Sequence, residues 1–240
     1  MHPTVYLLIT NFKGFDNDML IGNLSQLFSN PGAVLMQLAY TIPVILISLT
    51  LHEWAHAYAA FRCGDPTARN LGRMTLNPIA HIDPIGFLSL LLLGFGWAKP
   101  VPVNSRNFTN YKVGETVVSL AGVTMNFLLV LLAGTALVII GRVYPMAFLN
   151  TALITILVYV ISLNVTLMVF NLFPVYPLDG YHIFELLFAK VLPVRFFMFM
   201  HRYGYWILIV LLLLFNRLGF SPISVVRGWV FEIINKLIAI

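Results

Sequence analysis

The sequence contains very little charge. Of its 240 residues only 10% are Asp, Glu, Lys or Arg, whereas 60% are hydrophobic, and the mean hydropathy is +0.89. Soluble globular domains carry about 25% charged residues, so this composition excludes an ordinary soluble domain. The sequence therefore predicts a polytopic membrane protein that has the lipid bilayer as its surroundings.

Cysteine is nearly absent, and the basic residues form no dense cluster. The single cysteine, Cys63, excludes an intrachain disulfide and a zinc site built from cysteines. The 14 Lys and Arg residues exceed the 9 Asp and Glu residues, which gives a formal net charge of +5. Because they are spread through the links between apolar runs, they act as membrane-topology signals, and we expect no nucleic-acid partner.

Long apolar runs are what the sequence does contain. A helix that spans the hydrocarbon core needs about 20 mainly apolar residues. Residues 85–97 are apolar but too few to span, which indicates a re-entrant or interfacial segment inside the polar connection 62–115. The sequence therefore predicts an all-α polytopic fold with about four to six membrane helices. The predicted helices are residues 34–61, 116–140, 151–173 and 203–215, the last extended back to 196, with a short amphipathic helix at 181–192 and a helical tail from 221.

The basic residues also orient these helices. Short loops rich in Lys and Arg stay in the cytoplasm. The connection 62–115 has six such residues and 180–202 has three, so both are predicted to face the cytoplasm. The sequence predicts a division into an N-terminal segment (1–33), an intramembrane core (34–192) and a C-terminal membrane helix with an amphipathic tail (193–240).

The scarce histidine and glutamate residues meet in one motif, His52-Glu53-Trp54-Ala55-His56, inside the first predicted membrane helix. Residues four apart lie on one helical face, so His52 and His56 can offer two imidazole nitrogens to a single ion. Glu53 lies about 100° round the helix, near such an ion but badly aimed to bind it. A zinc hydrolase needs this combination of two neutral imidazoles and a carboxylate that can accept the proton of an attacking water.

Catalytic zinc normally has three protein ligands and one open position, so the motif needs a third ligand. A metzincin would have Gly and His where this chain has Ala59 and Arg62. A thermolysin-like enzyme would have a Glu about twenty residues after the motif, where this chain has none. Among the remaining candidates Asp179 is the costliest to leave unpaired, because it follows a long apolar run. His182 stays an alternative ligand because it lies close to Asp179 in sequence.

Three further motifs follow the histidine motif in order along the chain. They are Asn77-Pro78-Ile79-Ala80-His81, then Ser119-Leu120-Ala121-Gly122 with Asn126, then Asn171-Leu172-Phe173-Pro174-Val175-Tyr176-Pro177-Leu178-Asp179-Gly180. Together the four motifs resemble the site-2 protease family of intramembrane zinc metalloproteases, in its compact bacterial branch without a PDZ domain. The resemblance covers roughly residues 44–187. Many members of that family have Pro where this chain has Val123 or Tyr176.

The resemblance implies a specific activity and site. It implies one Zn²⁺ per chain held by His52, His56 and Asp179, with Glu53 as the general base. It implies an endopeptidase that cuts within or near the transmembrane segments of single-span, membrane-anchored regulatory proteins. It also implies a re-entrant loop with a short β element between the first two core helices. The candidates for contacting the substrate or the oxyanion are His81, Asn171 and Asn126.

Two other classes of protein fit the same residues. Divalent-metal transporters also place His and Asp at membrane depth, and a membrane scaffold could hold a structural metal. Glu53 discriminates between them and a protease, because a transporter would use it as a ligand or tolerate its loss. A structural zinc would be expected to have a fourth strong ligand.

Overall fold

The computed structural model describes residues 29–93, 96–143, 152–218 and 221–239. In these ranges the chain forms eight α-helices and two short 3₁₀ helices, the latter at Pro78–His81 and Ser105–Asn107. The α-helices are α1 (Pro31–Arg62), α2 (Thr67–Asn70), α3 (Pro84–Leu93), α4 (Tyr111–Val143), α5 (Ala152–Asn171), α6 (Asp179–Phe188), α7 (Val194–Leu218) and α8 (Pro222–Ala239).

Four of these helices are long and apolar enough to cross a membrane, counting only the residues that the structure describes: α1, α4, α5 and, in α7, Val194–Phe215. The chain is therefore a multi-pass membrane protein, and the predicted all-α polytopic fold is confirmed. Within the described ranges the β structure is limited to one antiparallel bridge between Ile82 and Ala98. The apolar stretch that was predicted to be re-entrant forms α3.

Two of the membrane helices, α1 and α4, begin earlier than hydropathy alone predicts. α1 starts at Pro31, where the Asn30 side chain accepts a hydrogen bond from the Ala33 N–H at 3.2 Å and caps the first turn. α4 starts at Tyr111, before the predicted residue 116. A helix continues through polar residues beyond its apolar run, so hydropathy finds the span and not the helix end. Most of the predicted N-terminal segment, 1–33, lies outside the described residues.

The core of the bundle is formed by α1, α4 and α5, which pack against one another. The α1–α5 contact is built around Val44, Ile45, Tyr159 and Leu163. Between these two helices Asn164 Nδ2 also donates a hydrogen bond of 2.9 Å to the hydroxyl of Ser48. Such polar pairs between membrane helices supply specific attraction that lipid-facing apolar side chains cannot.

The C-terminal helix α8 packs on this core. Phe231 and Ile234 of α8 are buried against a cluster of aliphatic side chains from α4 and α5. At the end of α4, Arg142 Nε donates a hydrogen bond of 2.8 Å to the Leu237 carbonyl, which satisfies one of the last carbonyl groups of α8. The helical tail predicted from residue 221 is therefore part of the packed bundle.

The connection between α1 and α4 is organised around one buried carboxylate. Asp65 accepts hydrogen bonds from Thr67, from the Asn104 N–H at 2.7 Å and from Asn107 Nδ2 at 2.7 Å. Burial alone would raise the pKa of Asp65, but these donors hold it below its ordinary value. Together with a 2.8 Å hydrogen bond from Arg73 Nη2 to the Lys99 carbonyl, they hold residues 99–107 against the C-terminal end of α1.

Candidate metal centre

Two imidazoles from the C-terminal half of α1 and one carboxylate from the start of α6 converge in the structure. The Nε2 atoms of His52 and His56 lie 3.1 Å apart. Asp179 Oδ2 lies 3.6 Å from His52 Nε2 and 3.3 Å from His56 Nε2. Across the described ranges this is the only group of three or more His, Cys, Asp or Glu side chains that could hold a metal ion, with ligand atoms all within 4.8 Å of one another.

One face of α4 sets the orientation of both imidazoles. His56 Nδ1 lies 2.8 Å from the Val118 carbonyl oxygen. Because a carbonyl oxygen only accepts, Nδ1 carries the proton and donates it, and Nε2 of the neutral ring keeps a lone pair that can bind a metal. The side-chain nitrogen of Asn126, Nδ2, lies 3.2 Å from His52 Nδ1. Turning this amide by 180° points Oδ1, which has no hydrogen-bond partner among the described residues, at the ring. In that orientation Oδ1 accepts the Nδ1 proton, which leaves His52 Nε2 as the unprotonated nitrogen.

A glycine allows α4 to come this close. A Cβ built at Gly122 would meet atoms of both the His52 and His56 rings at under 3.0 Å, a separation that real Cβ atoms essentially never show. Any other residue at this position would therefore push the imidazoles away from Asp179. The close approach explains why the sequence needs glycine in the middle of a membrane helix, where it weakens the helix by about 1 kcal/mol relative to alanine.

The residues present fit a zinc ion. Asp179 Oδ2 is buried and has no hydrogen-bond partner among the described residues, and a buried acceptor left in that state costs about 1–3 kcal/mol. A cation between the three side chains would satisfy Oδ2 and both imidazole lone pairs. Two histidines and one carboxylate are a set of ligands that catalytic zinc uses, with a fourth position left open.

Glu53 lies beside these ligands without being one of them. Its side chain is buried, and Oε2 accepts a hydrogen bond of 2.9 Å from the Val101 N–H. This contact comes from the connection between α1 and α4, which Asp65 and Arg73 hold in place. One carboxylate oxygen of Glu53 is thus fixed by the backbone, and the other is available for chemistry.

Asp179 is the first residue of α6, and its neighbours locate that helix. Gly180 lies against the backbone of Leu172 and Phe173 so closely that a Cβ there would overlap both. Tyr181 is fully buried and packs with Val175 and Phe197. The motif around Asp179 therefore folds back on the end of α5 and directs the carboxylate towards α1.

The three predicted substrate or oxyanion residues occupy different surroundings. Asn126 contacts His52, as described above. His81 is buried and its Nε2–H donates to the Thr75 carbonyl at 2.8 Å. Asn171 Nδ2 donates to the Leu167 carbonyl at 2.9 Å, one turn back on α5. Their roles in catalysis remain predictions.

Sequence reasoning missed the partner of His182. His182 was an alternative metal ligand, but the ligand group in the structure does not include it. Its Nδ1 lies 3.2 Å from Glu115 Oε1 instead. The hydrogen bond to Glu115 raises the pKa of His182 above its ordinary value. The only signal for Glu115 in the sequence is that glutamate is rare in this chain.

Comparisons with known proteins relate this sequence to metallopeptidases. The family model described as Peptidase family M50 matches residues 137–214. The chain is 44% identical over 149 residues to "Putative zinc metalloprotease YwhC" of Bacillus subtilis, covering 61% of this chain and 68% of that protein. It is 34% identical over 148 residues to "Putative zinc metalloprotease Rip2" of Mycobacterium tuberculosis, covering 58% of this chain and 54% of that protein, so the match spans about half of that relative. No solved structure matches.

Proposed function

The chain belongs to peptidase family M50 and is a zinc metalloprotease, and from this we propose that it is an intramembrane endopeptidase. Its substrates are single-span, membrane-anchored regulatory proteins, which it cuts within or near their transmembrane segments. One observation carries the proposal. His52 and His56 lie on a helix long and apolar enough to cross a membrane, Asp179 is the first residue of α6, and a separate buried carboxylate, Glu53, lies on the same helix as the two histidines.

His52, His56 and Asp179 would hold the zinc ion. When bound, zinc supplies a Lewis acid that polarises the scissile carbonyl and makes water a usable nucleophile near neutral pH. The chain supplies the orientation of the ligands. The Val118 carbonyl holds the His56 ring at 2.8 Å, and the Asn126 amide lies 3.2 Å from the His52 ring, so neither imidazole has to reorganise.

Glu53 is the general base in this proposal. Its carboxylate takes the proton of the attacking water and passes it to the leaving amine. The Val101 N–H, 2.9 Å from Oε2, keeps the side chain from turning away from the site. General acid and base assistance of this kind contributes about 10²–10⁴ in rate.

The substrate has to change shape to reach this site. A transmembrane helix has its carbonyl groups tied up in hydrogen bonds, so the cut segment must unwind locally before water can attack it. The polar connection between α1 and α4 provides a non-helical backbone beside Glu53. An unwound segment can pair its backbone N–H and C=O groups with this backbone, so that they are not left unpaired in the lipid. From the distribution of Lys and Arg we propose that this connection, and with it the site, is on the cytoplasmic side.

The test is Glu53→Gln in purified protein, incubated in detergent with candidate single-span substrates. Gln is nearly isosteric with Glu, so the variant should fold and bind zinc as the wild type does, while cleavage falls by about 10²–10⁴. Glu232→Gln makes the same replacement at an exposed residue of α8 that pairs with Lys236, and it should leave cleavage unchanged.

Two results would count against the proposal. Wild-type cleavage by Glu53→Gln would show that Glu53 is not the base. A wild type that cuts no membrane-embedded peptide, combined with altered metal uptake in Glu53→Gln, would favour the divalent-metal transporter.

A further inference from the structure

A polar contact joins α4 to α6 next to the proposed ligand group. His182 Nδ1 lies 3.2 Å from Glu115 Oε1. The contact is partly shielded from solvent, since the Glu115 side chain is 17% exposed and the His182 side chain 37%. Pairs that are partly shielded and hydrogen-bonded hold their geometry better than freely exposed pairs.

His182 lies on the same face of α6 as Asp179. Residues three apart on a helix are neighbours on its surface, so a contact that holds His182 against α4 also fixes the rotation of the first turn, from which Asp179 projects. The N-cap residue Leu178 provides no side-chain cap, so capping by a side chain does not fix this turn.

The other end of the contact belongs to the helix that orients the histidines. Glu115 precedes Val118, Gly122 and Asn126 on one stripe of α4, at spacings of three, four and four residues. Val118 and Asn126 contact the two imidazoles, and Gly122 lets them approach. One face of α4 therefore contacts the helices that carry all three ligands, α1 through the histidines and α6 through His182.

We propose that Glu115 and His182 are positioning residues that hold Asp179 in register with His52 and His56. Without this contact α6 keeps the packing of Tyr181 but loses the polar anchor on its α4 side, so Asp179 Oδ2 is no longer held 3.3–3.6 Å from the two Nε2 atoms. Neither residue belongs to the group of side chains that could hold the ion. The inference rests on the ligand set of the proposed function.

The experiment is a double-mutant cycle in zinc affinity. Glu115→Ala, His182→Ala and the double variant are purified in detergent, stripped of metal and titrated with zinc against a competing chelator. Loss of a residue that orients a ligand weakens zinc binding by about 10–100-fold. The double variant should lose no more than either single variant, because both changes break one contact. Glu115→Gln keeps an acceptor for the Nδ1–H and should bind zinc nearly as the wild type does.

A matched pair on the same helix is the control. Glu185 lies 3.7 Å from His201 and connects α6 to α7, with side chains that are 36% and 45% exposed. Like Glu115→Ala, the variant Glu185→Ala removes one carboxylate, here on α6 three residues after His182, so it reports any general electrostatic effect on zinc. Zinc affinity should stay within about twofold of the wild type in this variant. The thermal stability of every metal-free variant is measured in parallel, because a merely structural contact would lower stability and leave zinc affinity unchanged.

Four outcomes would overturn the inference. They are wild-type zinc affinity in the two alanine variants, additive losses in the double variant, an equal loss in Glu185→Ala, or an equal loss in Glu115→Gln. A wild type that binds no zinc would refute the proposed function as well, whereas the other results refute the inference alone.

Discussion

Replacing Gly122 by alanine should remove zinc from a protein that still folds. The added methyl group would lie within 3.0 Å of His52 Cε1, His52 Nδ1 and His56 Nε2, the last of these a predicted ligand atom. Both imidazoles project from the rigid helix α1, and the Val118 carbonyl behind His56 limits where that ring can move. The methyl group therefore displaces the rings rather than being absorbed by a flexible side chain.

The size of the effect follows from the overlap. The Cβ would lie 2.7 Å from His52 Nδ1, whereas ordinary contact distances are about 3.5–4.0 Å, so the ring has to move by about 1 Å. Metal sites require ligand distances within about 0.2 Å. Displacing two of three ligands should weaken zinc binding by about 100-fold or more. The gain in helix propensity, up to about 1 kcal/mol, partly offsets the cost of the overlap, about 1–3 kcal/mol, so the stability of the metal-free variant has to be measured beside its zinc affinity.

The assay compares Gly122→Ala with Gly134→Ala, which makes the same substitution in the same helix. A Cβ at Gly134 meets only the end of the Ile234 side chain, at 3.4 Å, and that side chain can move slightly. Zinc affinity by chelator competition and thermal stability without metal are measured for both variants. Gly134→Ala should match the wild type in zinc affinity. Unchanged zinc affinity in Gly122→Ala would refute the conclusion that close approach of α4 seats the two imidazoles.

Three further predictions address the ligand set, the topology and the connection. Asp179→Ala should reduce the zinc content from one per chain towards zero by metal analysis, and undiminished zinc would remove Asp179 from the site. A cysteine introduced as Arg69→Cys in a Cys63→Ser background should react with a membrane-impermeant thiol reagent only after the cytoplasmic side is opened, and labelling from outside intact cells would reverse the proposed orientation. Asp65→Ala should lower the free energy of unfolding by about 2 kcal/mol or more in detergent, because three residues lose a charged acceptor, and wild-type stability would show that these hydrogen bonds do not hold the connection.

Much of the proposed site could be predicted from the local sequence pattern and from the free-energy cost of leaving a carboxylate unpaired beside an apolar segment. His52 and His56 lie on one face of α1 because they are four residues apart, and this does not depend on where the helix begins or ends. Asp179 was predictable because an unpaired carboxylate beside an apolar run is too costly to keep without a partner. The structure brings these three residues together.

The partners of polar side chains were harder to predict. His182 was an alternative ligand because it follows Asp179 closely, but proximity in sequence does not say which face of α6 meets α4. The structure pairs it with Glu115, 67 residues earlier in the chain. Asn126 was predicted to contact the substrate or the oxyanion, and it lies beside the ring of His52. Both contacts depend on the rotation of one helix against another, which a periodic pattern does not contain.

The sequence by itself determined the membrane location and the long apolar helices, and it supplied the candidate site residues, because composition and helical period are local properties of the chain. Tertiary structure decided the distances between residues on different helices. Gly122 at the two imidazoles, Val101 at Glu53 and the Glu115–His182 pair all result from how closely and at what rotation the helices pack. That packing is a sum of many weak contacts along whole helices, so only the folded chain specifies where the ligand atoms meet.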